Sequence, residues 1–440
     1  MGKLGDYMLF QHHLFQKINW FILMICAAVP LGLFISLNNF HVNIYLIVVL
    51  LTFFLAVFLS VLFKHPSYVI KIILLALSIR IVILIVLKIY SFQTGLEGFF
   101  PGDVDAYAYH GDALEAIRSH SWINALEGNL EYTYFVAFFY DLFGPDMNIP
   151  QLINLGASVL IVPLVYELGN RVGGKKYAIT ASILWSLFPS AIFWSVSLLK
   201  DAFVTLGMVL SGFLILGITE KKMRLTDLSL GICGILLVSS LRSQFLLAIA
   251  LPILIMICFQ LFKGNTNFLR NSVFLVVGIA LFSMTLAGEN AFDALTNSTS
   301  QEETERINEI ALDGGSGIAL VTMFPPEIRW LVQLPFSIFA PFPWQWLSVG
   351  QGLYRVSGLE MIVWYILYYF IWKNRQIIIA QNAGKVIMIY AFSVFIAVSF
   401  SLPNIGSIYR YRLAALALLL PLVFYKFAKK KDGKGSLDEK

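Results

Sequence analysis

The residues best suited to chemistry in this chain are charged side chains set at the ends of apolar runs. Asp103 and Asp105 directly follow the third such run, in Pro101-Gly102-Asp103-Val104-Asp105-Ala106-Tyr107-Ala108-Tyr109-His110. Lys200-Asp201 stands between two runs with almost no loop. Arg242 lies in the turn Ser239-Ser240-Leu241-Arg242-Ser243-Gln244, and Arg410 and Arg412 precede the last run. The acidic stretch from Glu289 to Asp313 is a further cluster. A carboxylate at a membrane boundary can act as general base toward a hydroxyl, because burial raises its pKa toward a useful range. The pair Asp103 and Asp105 also offers the oxygen ligands that a divalent cation takes, although no cofactor is demanded. Guanidinium groups grip phosphate through paired N–H donors. Arg242, Arg410 and Arg412, with Lys200 and Asp201 beside them, would therefore hold a phosphate or pyrophosphate group. His110 is a second acid–base candidate and Tyr107 a substrate contact. Each residue also has a plainer reading. The aspartates can cap helices, Lys200 can snorkel to the headgroups, His110 can simply pack, and the arginines can pair with loop carboxylates.

The elements that must position these groups are membrane helices. The chain has 440 residues, of which 58% are hydrophobic and 13% charged, where soluble domains carry about 25% charged residues. Its apolar runs are continuous rather than alternating, and they approach the ~20 residues that a helix needs to cross a bilayer. The expected fold is an all-α polytopic membrane protein of about twelve transmembrane helices. They fall near 19–37, 42–63, 68–90, 151–169, 177–195, 202–219, 225–241, 244–262, 271–288, 358–372, 385–402 and 411–427. No small-residue cleavage site follows the first run, so it reads as a retained span. Cys26, Cys233 and Cys258 all lie inside apolar runs and read as small core hydrophobes rather than disulfide or metal sites. Arg80 lies in mid-span and calls for a structural partner.

Lysines and arginines set the orientation. Lys64, Lys71, Arg171, Lys175, Lys176, Lys221, Lys222, Arg224, Lys263 and Arg270 fall on one side together with the basic C-terminal segment. That side is read as cytoplasmic, with both termini there. The acid-rich loops 91–150 and 289–357 are then outside. One transmembrane domain covers 1–427, and 428–440 is a basic cytoplasmic tail. The first outer loop is expected to hold two amphipathic helices lying flat on the membrane. One starts at Asp103 or Asp105 and places Ala106, Tyr109, His110, Ala113 and Ile117 on one face; the other runs from about Tyr132 to Leu142. The segment from Ile328 to Trp346 contains Pro335, Pro341 and Pro343 and reads as a re-entrant or interfacial element.

The run of spans followed by Gly102-Asp103-x-Asp105-x-Tyr107-x-x-His110 resembles the start of the GT-C superfamily of membrane glycosyltransferases, most closely the bacterial relatives of protein O-mannosyltransferases. Phe143-Gly144 matches a Phe-Gly that follows in that family. Leu187-Phe188-Pro189-Ser190 through Leu198-Leu199-Lys200-Asp201 is similar to its next motif segment, and the likeness covers roughly 95–260. The resemblance implies an enzyme in a bacterial plasma membrane that transfers a sugar, with inversion, from a polyprenyl-phosphate donor. The acceptor would be a lipid-linked glycan, a polysaccharide or a protein. It implies Asp103 as the base and Asp105 as second to it. Membrane lipid and the lipid-linked sugar are the expected partners, and nucleic acid is not. This chain departs from the family in placing three apolar runs before the catalytic loop, where one is usual. Other classes fit parts of the pattern. A polysaccharide polymerase or ligase using undecaprenyl-diphosphate glycans needs the arginines but not Asp103. A flippase or transporter needs charge deep in the spans, where only Arg80, Lys88 and Glu167 are found. A non-catalytic envelope assembly partner needs neither.

Overall fold

A computed structural model describes residues 40–100, 104–120, 132–220, 223–262, 326–346, 352–400 and 405–423. The described residues are helical, with no strand among them. In chain order the helices are α1 (Phe40–Leu62), α2 (Tyr68–Gln93), α3 (Val104–Arg118), α4 (Tyr132–Phe143), α5 (Asn148–Gly173), α6 (Lys175–Leu187), α7 (Pro189–Val196) and α8 (Asp201–Thr219). There follow α9 (Leu225–Leu241), α10 (Leu246–Phe262), α11 (Pro326–Phe339), α12 (Gly352–Ala380), α13 (Asn382–Ser399), α14 (Ile405–Tyr411) and α15 (Leu413–Leu419). Helices α1, α2, α5, α8 and α13 are long and apolar enough to cross a membrane. The pair α6 and α7, bent by 52°, makes a sixth if it counts as one span. The expected spans near 19–37 and 271–288 lie outside the described residues, as do Asp103, the stretch Glu289 to Asp313 and the tail 428–440.

Helices α5 and α8 are buried along almost their whole length and form the middle of the bundle. At the rim, α1 and α2 expose Leu51, Phe58, Ile85 and Ile89. Such apolar faces suit contact with lipid rather than water. Small residues set the tightest contact. A Cβ placed on Gly234 of α9 would lie 2.4 Å from the Gly207 carbonyl oxygen of α8, so neither helix can carry a larger side chain there.

The bend at Phe188-Pro189 leaves backbone groups of α6 and α7 without their usual partners. Pro189 has no N–H to offer the Trp185 carbonyl. The Ser190 N–H turns away to donate to Glu360 Oε2 at 2.7 Å, which leaves the Ser186 carbonyl unserved. Arg80, fully buried in α2, fills both gaps, donating to the Ser186 oxygen at 3.2 Å and the Trp185 oxygen at 3.4 Å. It also donates to Ser158 Oγ of α5. The mid-span arginine therefore has the structural partner expected of it.

The last apolar run, expected to span from 411 to 427, is described to residue 423. There it forms α14, α15 and a 3-10 turn, Leu420–Leu422, with Leu413 through Leu422 buried, and residues 424–427 lie outside the described residues. Cys233 is exposed on the outer face of α9 rather than packed in the core. Around Ile328 to Trp346 the described helix is as short as a re-entrant or interfacial element requires. Although α11 has 14 residues, about 21 Å of helix and too short to span, it packs on α13. Ser337 is fully buried there and donates to the Phe395 carbonyl.

The bundle has two polar poles. At one, His41 at the start of α1 meets Asp146, just before α5. At the other, His65 beyond the end of α1 meets Glu167, which pairs with Arg171, which in turn pairs with Asp227 of α9. For α1, α5 and α9 this alternation is the one that the threading drawn from the sequence gives.

Candidate functional site

The first pole carries the candidate site. Helices α3 and α4 form a small apolar unit there, with Ala106, Ala113 and Ala116 buried against Tyr132, Val136, Ala137 and Tyr140. Ala106 and Ala113 recur at helical spacing, as the sequence indicated, and Tyr109 and Ile117 pack partly against the same unit. Helix α4 ends at Gly144, whose φ of +89° suits a glycine closing a helix; its N–H donates to the Tyr140 carbonyl at 2.8 Å.

Asn154 of α5 ties this unit to the start of α8. Its side-chain nitrogen lies 2.7 Å from the Tyr132 hydroxyl, 2.8 Å from the Ser197 carbonyl and 2.9 Å from the Leu199 carbonyl. The Ser197–Leu199 turn is thereby fixed, and Asp201 opens α8 at a set position. Asp201 is not a side-chain cap. It is buried and accepts from Arg242 Nη1 at 3.1 Å, and Arg410 Nε lies 3.9 Å from its other oxygen. Arg410 also donates to Asp105 on α3. The result is a chain of alternating charge, Asp105–Arg410–Asp201–Arg242, drawn from α3, α14, α8 and the turn after α9.

Aromatic rings close round the two arginines. The Arg242 guanidinium carbon lies 3.6 Å from the centre of the Tyr411 ring, and that of Arg410 lies 5.6 Å from the Trp194 ring. Burial alone would push the Arg410 guanidinium down, but Asp201 and Asp105 more than offset it, and the net shift is upward. Arg410 is therefore cationic at any physiological pH. The Tyr109 phenol is pushed up, chiefly by burial and then by Asp201, while Arg242 and Arg410 act against that rise. It remains a protonated donor beside the cluster. The indole N–H of Trp194 is buried without a hydrogen-bond partner among the described residues.

Of the residues singled out by sequence, the structure brings together Asp105, Asp201, Arg242 and Arg410. Lys200 immediately precedes Asp201 at the same pole. Asp201 is better read as the anchor of the arginines than as a phosphate contact, because a buried carboxylate repels phosphate. Three residues are placed elsewhere. Arg412, two positions beyond Arg410, points into the core. It donates to the Ala340 carbonyl and lies between the rings of Trp364 and Tyr409, each 4.9 Å away. His110 faces the other side of α3, where its Nδ1 lies 2.6 Å from the Tyr140 hydroxyl. Tyr107 is exposed and stacks on Phe99 at 3.8 Å. Offsets of two residues (Tyr107 from Asp105, Arg412 from Arg410) and five residues (His110 from Asp105) turn these side chains away from the cluster. Asp103 lies outside the described residues.

Tyr109, Trp194 and Tyr411 are the members that charge counting passed over. Tyr109 had been placed only on the packed face of its helix. Tyr411 stands between two named arginines, the one local signal that pointed to it. Among the described residues no three His, Cys, Asp or Glu side chains group closely enough to share a metal ion. No protein-family model, curated protein or solved structure matches this chain.

Proposed function

We propose that this chain is a GT-C-type glycosyltransferase that moves a sugar from a polyprenyl-phosphate donor to a lipid-linked glycan, polysaccharide or protein acceptor. It would work at the outer face of a bacterial plasma membrane, with about twelve spans and both termini in the cytoplasm. The orientation rests on the segregation of Lys and Arg from the acid-rich loops.

The observation that supports this reading most is the Asp105–Arg410 ion pair. Its carboxylate is 48% exposed, whereas Asp201, on the other side of the same arginine, is 3% exposed. An incoming phosphate can displace the exposed carboxylate but not the buried one. Donor binding would then load Arg410 with phosphate and free Asp105 in one event. In the transfer step the acceptor hydroxyl oxygen bonds to the anomeric carbon from the face opposite the phosphate. The bond between that carbon and the phosphate oxygen breaks, and the phosphate leaves with the electron pair. The hydroxyl proton passes to Asp103, with Asp105 orienting the acceptor. Arg410 and Arg242, already fixed by Asp201, meet the charge that develops on the leaving phosphate without reorganising, and such preorganised charge is commonly the largest catalytic contribution. A polymerase or ligase would use the same arginines, but it gives no reason for one of them to hold Asp105.

Reconstitution in liposomes with a polyprenyl-phosphate sugar and an acceptor glycan tests the proposal. Acceptor-dependent release of polyprenyl phosphate is expected, lowered in Arg410→Ala. Release only from undecaprenyl-diphosphate glycans would favour the polymerase reading instead.

A further inference from the structure

At the same pole, but on the rim of the bundle, an open cavity of about 650 Å³ lies between α1, α2 and the turn before α5. That volume falls within the roughly 300–1,000 Å³ of small-molecule sites. Val42, Tyr45, Lys88, Phe92, Glu97 and Asp146 are among the residues that line it. Asp146 is already satisfied. It accepts from the Tyr45 hydroxyl and from the backbone and side-chain nitrogens of Asn148, and it faces His41 at 3.2 Å.

Lys88 is not satisfied in the same way. Its ammonium donates to the Gly98 carbonyl at 3.0 Å, and no carboxylate among the described residues lies within ion-pair distance. Two of its three donors remain for a ligand. The turn after α2 is shaped to hold it there. Gly98 has a φ of +95° and donates its N–H to the buried Ser91 hydroxyl at 2.8 Å, and a Cβ on it would meet the Lys88 amine at 3.2 Å. The preceding residue, Glu97, also has positive φ. It sits exposed at the cavity wall with no ion-pair partner among the described residues. The cavity thus offers one cation with free donors and one free carboxylate. Phe92 in its wall is 66% exposed, and further along the same two helices Ile85 and Ile89 of α2, each 53% exposed, and Ile47 and Leu51 of α1 are exposed apolar side chains.

We propose that this cavity binds the headgroup of a zwitterionic phospholipid of the phosphoethanolamine type. The phosphate would sit on Lys88, the primary ammonium on Glu97, and the acyl chains along α1 and α2. Lysine meets phosphate as a point charge, and the carboxylate selects a headgroup that carries N–H donors.

The test is native mass spectrometry of the full chain in detergent, titrated with phosphatidylethanolamine or phosphatidylglycerol. One saturable phosphatidylethanolamine adduct is expected, held in preference to phosphatidylglycerol. Lys88→Gln, which keeps a donor for the Gly98 carbonyl, should lower retention about tenfold or more. Glu97→Gln should lower phosphatidylethanolamine retention and leave phosphatidylglycerol unchanged. Val42→Trp, which fills the cavity from the opposite wall, should lower retention as well, and it decides the matter if Lys88→Gln does not fold. Unsaturable adducts, equal or tighter binding of phosphatidylglycerol, or wild-type retention in Lys88→Gln and Val42→Trp would overturn the proposal.

Discussion

Asp201 and Asp105 hold the same arginine from two sides, and their surroundings assign them different work. Asp201 is enclosed and bound to Arg242 and Arg410, so removing its charge strands Arg242 and leaves Arg410 with the half-exposed Asp105 alone. Breaking a buried pair from one side costs about 3–5 kcal/mol. Asp201→Asn is therefore expected to lower the thermal unfolding midpoint in detergent clearly. Asp105→Asn, at a half-exposed pair, should change stability by about 1 kcal/mol or less. Equal midpoints for the two variants would remove the distinction between anchor and exchangeable partner. His110 belongs to a different argument. Burial, and then the nearby Lys88 ammonium, hold its imidazole below the ordinary histidine value. The ring hydrogen-bonds the Tyr140 hydroxyl through Nδ1 at 2.6 Å. The folded state thus binds a proton less readily than the unfolded chain, and stability rises with pH in that window. The contact contributes fully above about pH 6.5 and is lost as pH falls through the lowered folded value. His110→Gln should flatten this part of the midpoint-against-pH curve, and an unchanged slope would contradict the assignment. The charged members of the cluster were legible in the sequence because charge at a span end is costly and conspicuous. Arg412 misled because spacing alone does not say which of two nearby arginines faces the core.

At the scale of elements, the broken helix of α6 and α7 is held together by a side chain from elsewhere. Arg80 serves the carbonyls of Trp185 and Ser186, and Glu360 of α12 takes the Ser190 N–H and hydroxyl. Arg80→Met keeps the apolar stem but orphans both carbonyls, at about 1–3 kcal/mol each. A marked fall in the unfolding midpoint is expected, against a change of about 0.5 kcal/mol or less for Cys233→Ser on the exposed face of α9. A midpoint equal to wild type in Arg80→Met would mean that water satisfies the break. The sequence displayed part of this arrangement. Pro189 marks the bend, and a lone arginine within an apolar run announces a partner without saying which. The helices of the first loop were legible to within a residue or two, because Ala106, Tyr109 and Ala113 repeat at the helical period and Gly144 closes the second. The last run was legible as an apolar helix but its burial was not: Leu413 to Leu422 is apolar on every side, and periodicity cannot say what a segment packs against when it has no polar face.

At the scale of the molecule, the alternation of poles along α1, α5 and α8 gathers the charged turns at one end, and the proposed orientation makes that end the outer one. Gln93→Cys, exposed at the end of α2, is expected to react with a membrane-impermeant maleimide in intact cells. Ser436→Cys should react only after permeabilisation, both measured against a background lacking Cys26, Cys233 and Cys258. The reversed pattern would place the site in the cytoplasm and exclude an outer-leaflet donor. Gross architecture was legible because hydropathy is a long-window property and the basic residues segregate by side. Convergence at that end follows from the shared side of the charged turns, but the direct pairing of Asp105 with Arg410 was not legible, since the two lie far apart in sequence and meet only when α3 folds over the pole. The central claim is that a first-loop aspartate takes the acceptor proton while the Asp201-anchored arginines receive the phosphate. The most direct measurement is the turnover of Asp103→Asn with a polyprenyl-phosphate sugar, in protein whose unfolding midpoint equals that of wild type. A loss of roughly 10²–10⁴-fold, the range of general-base catalysis, is the expected result, and turnover equal to wild type would contradict it.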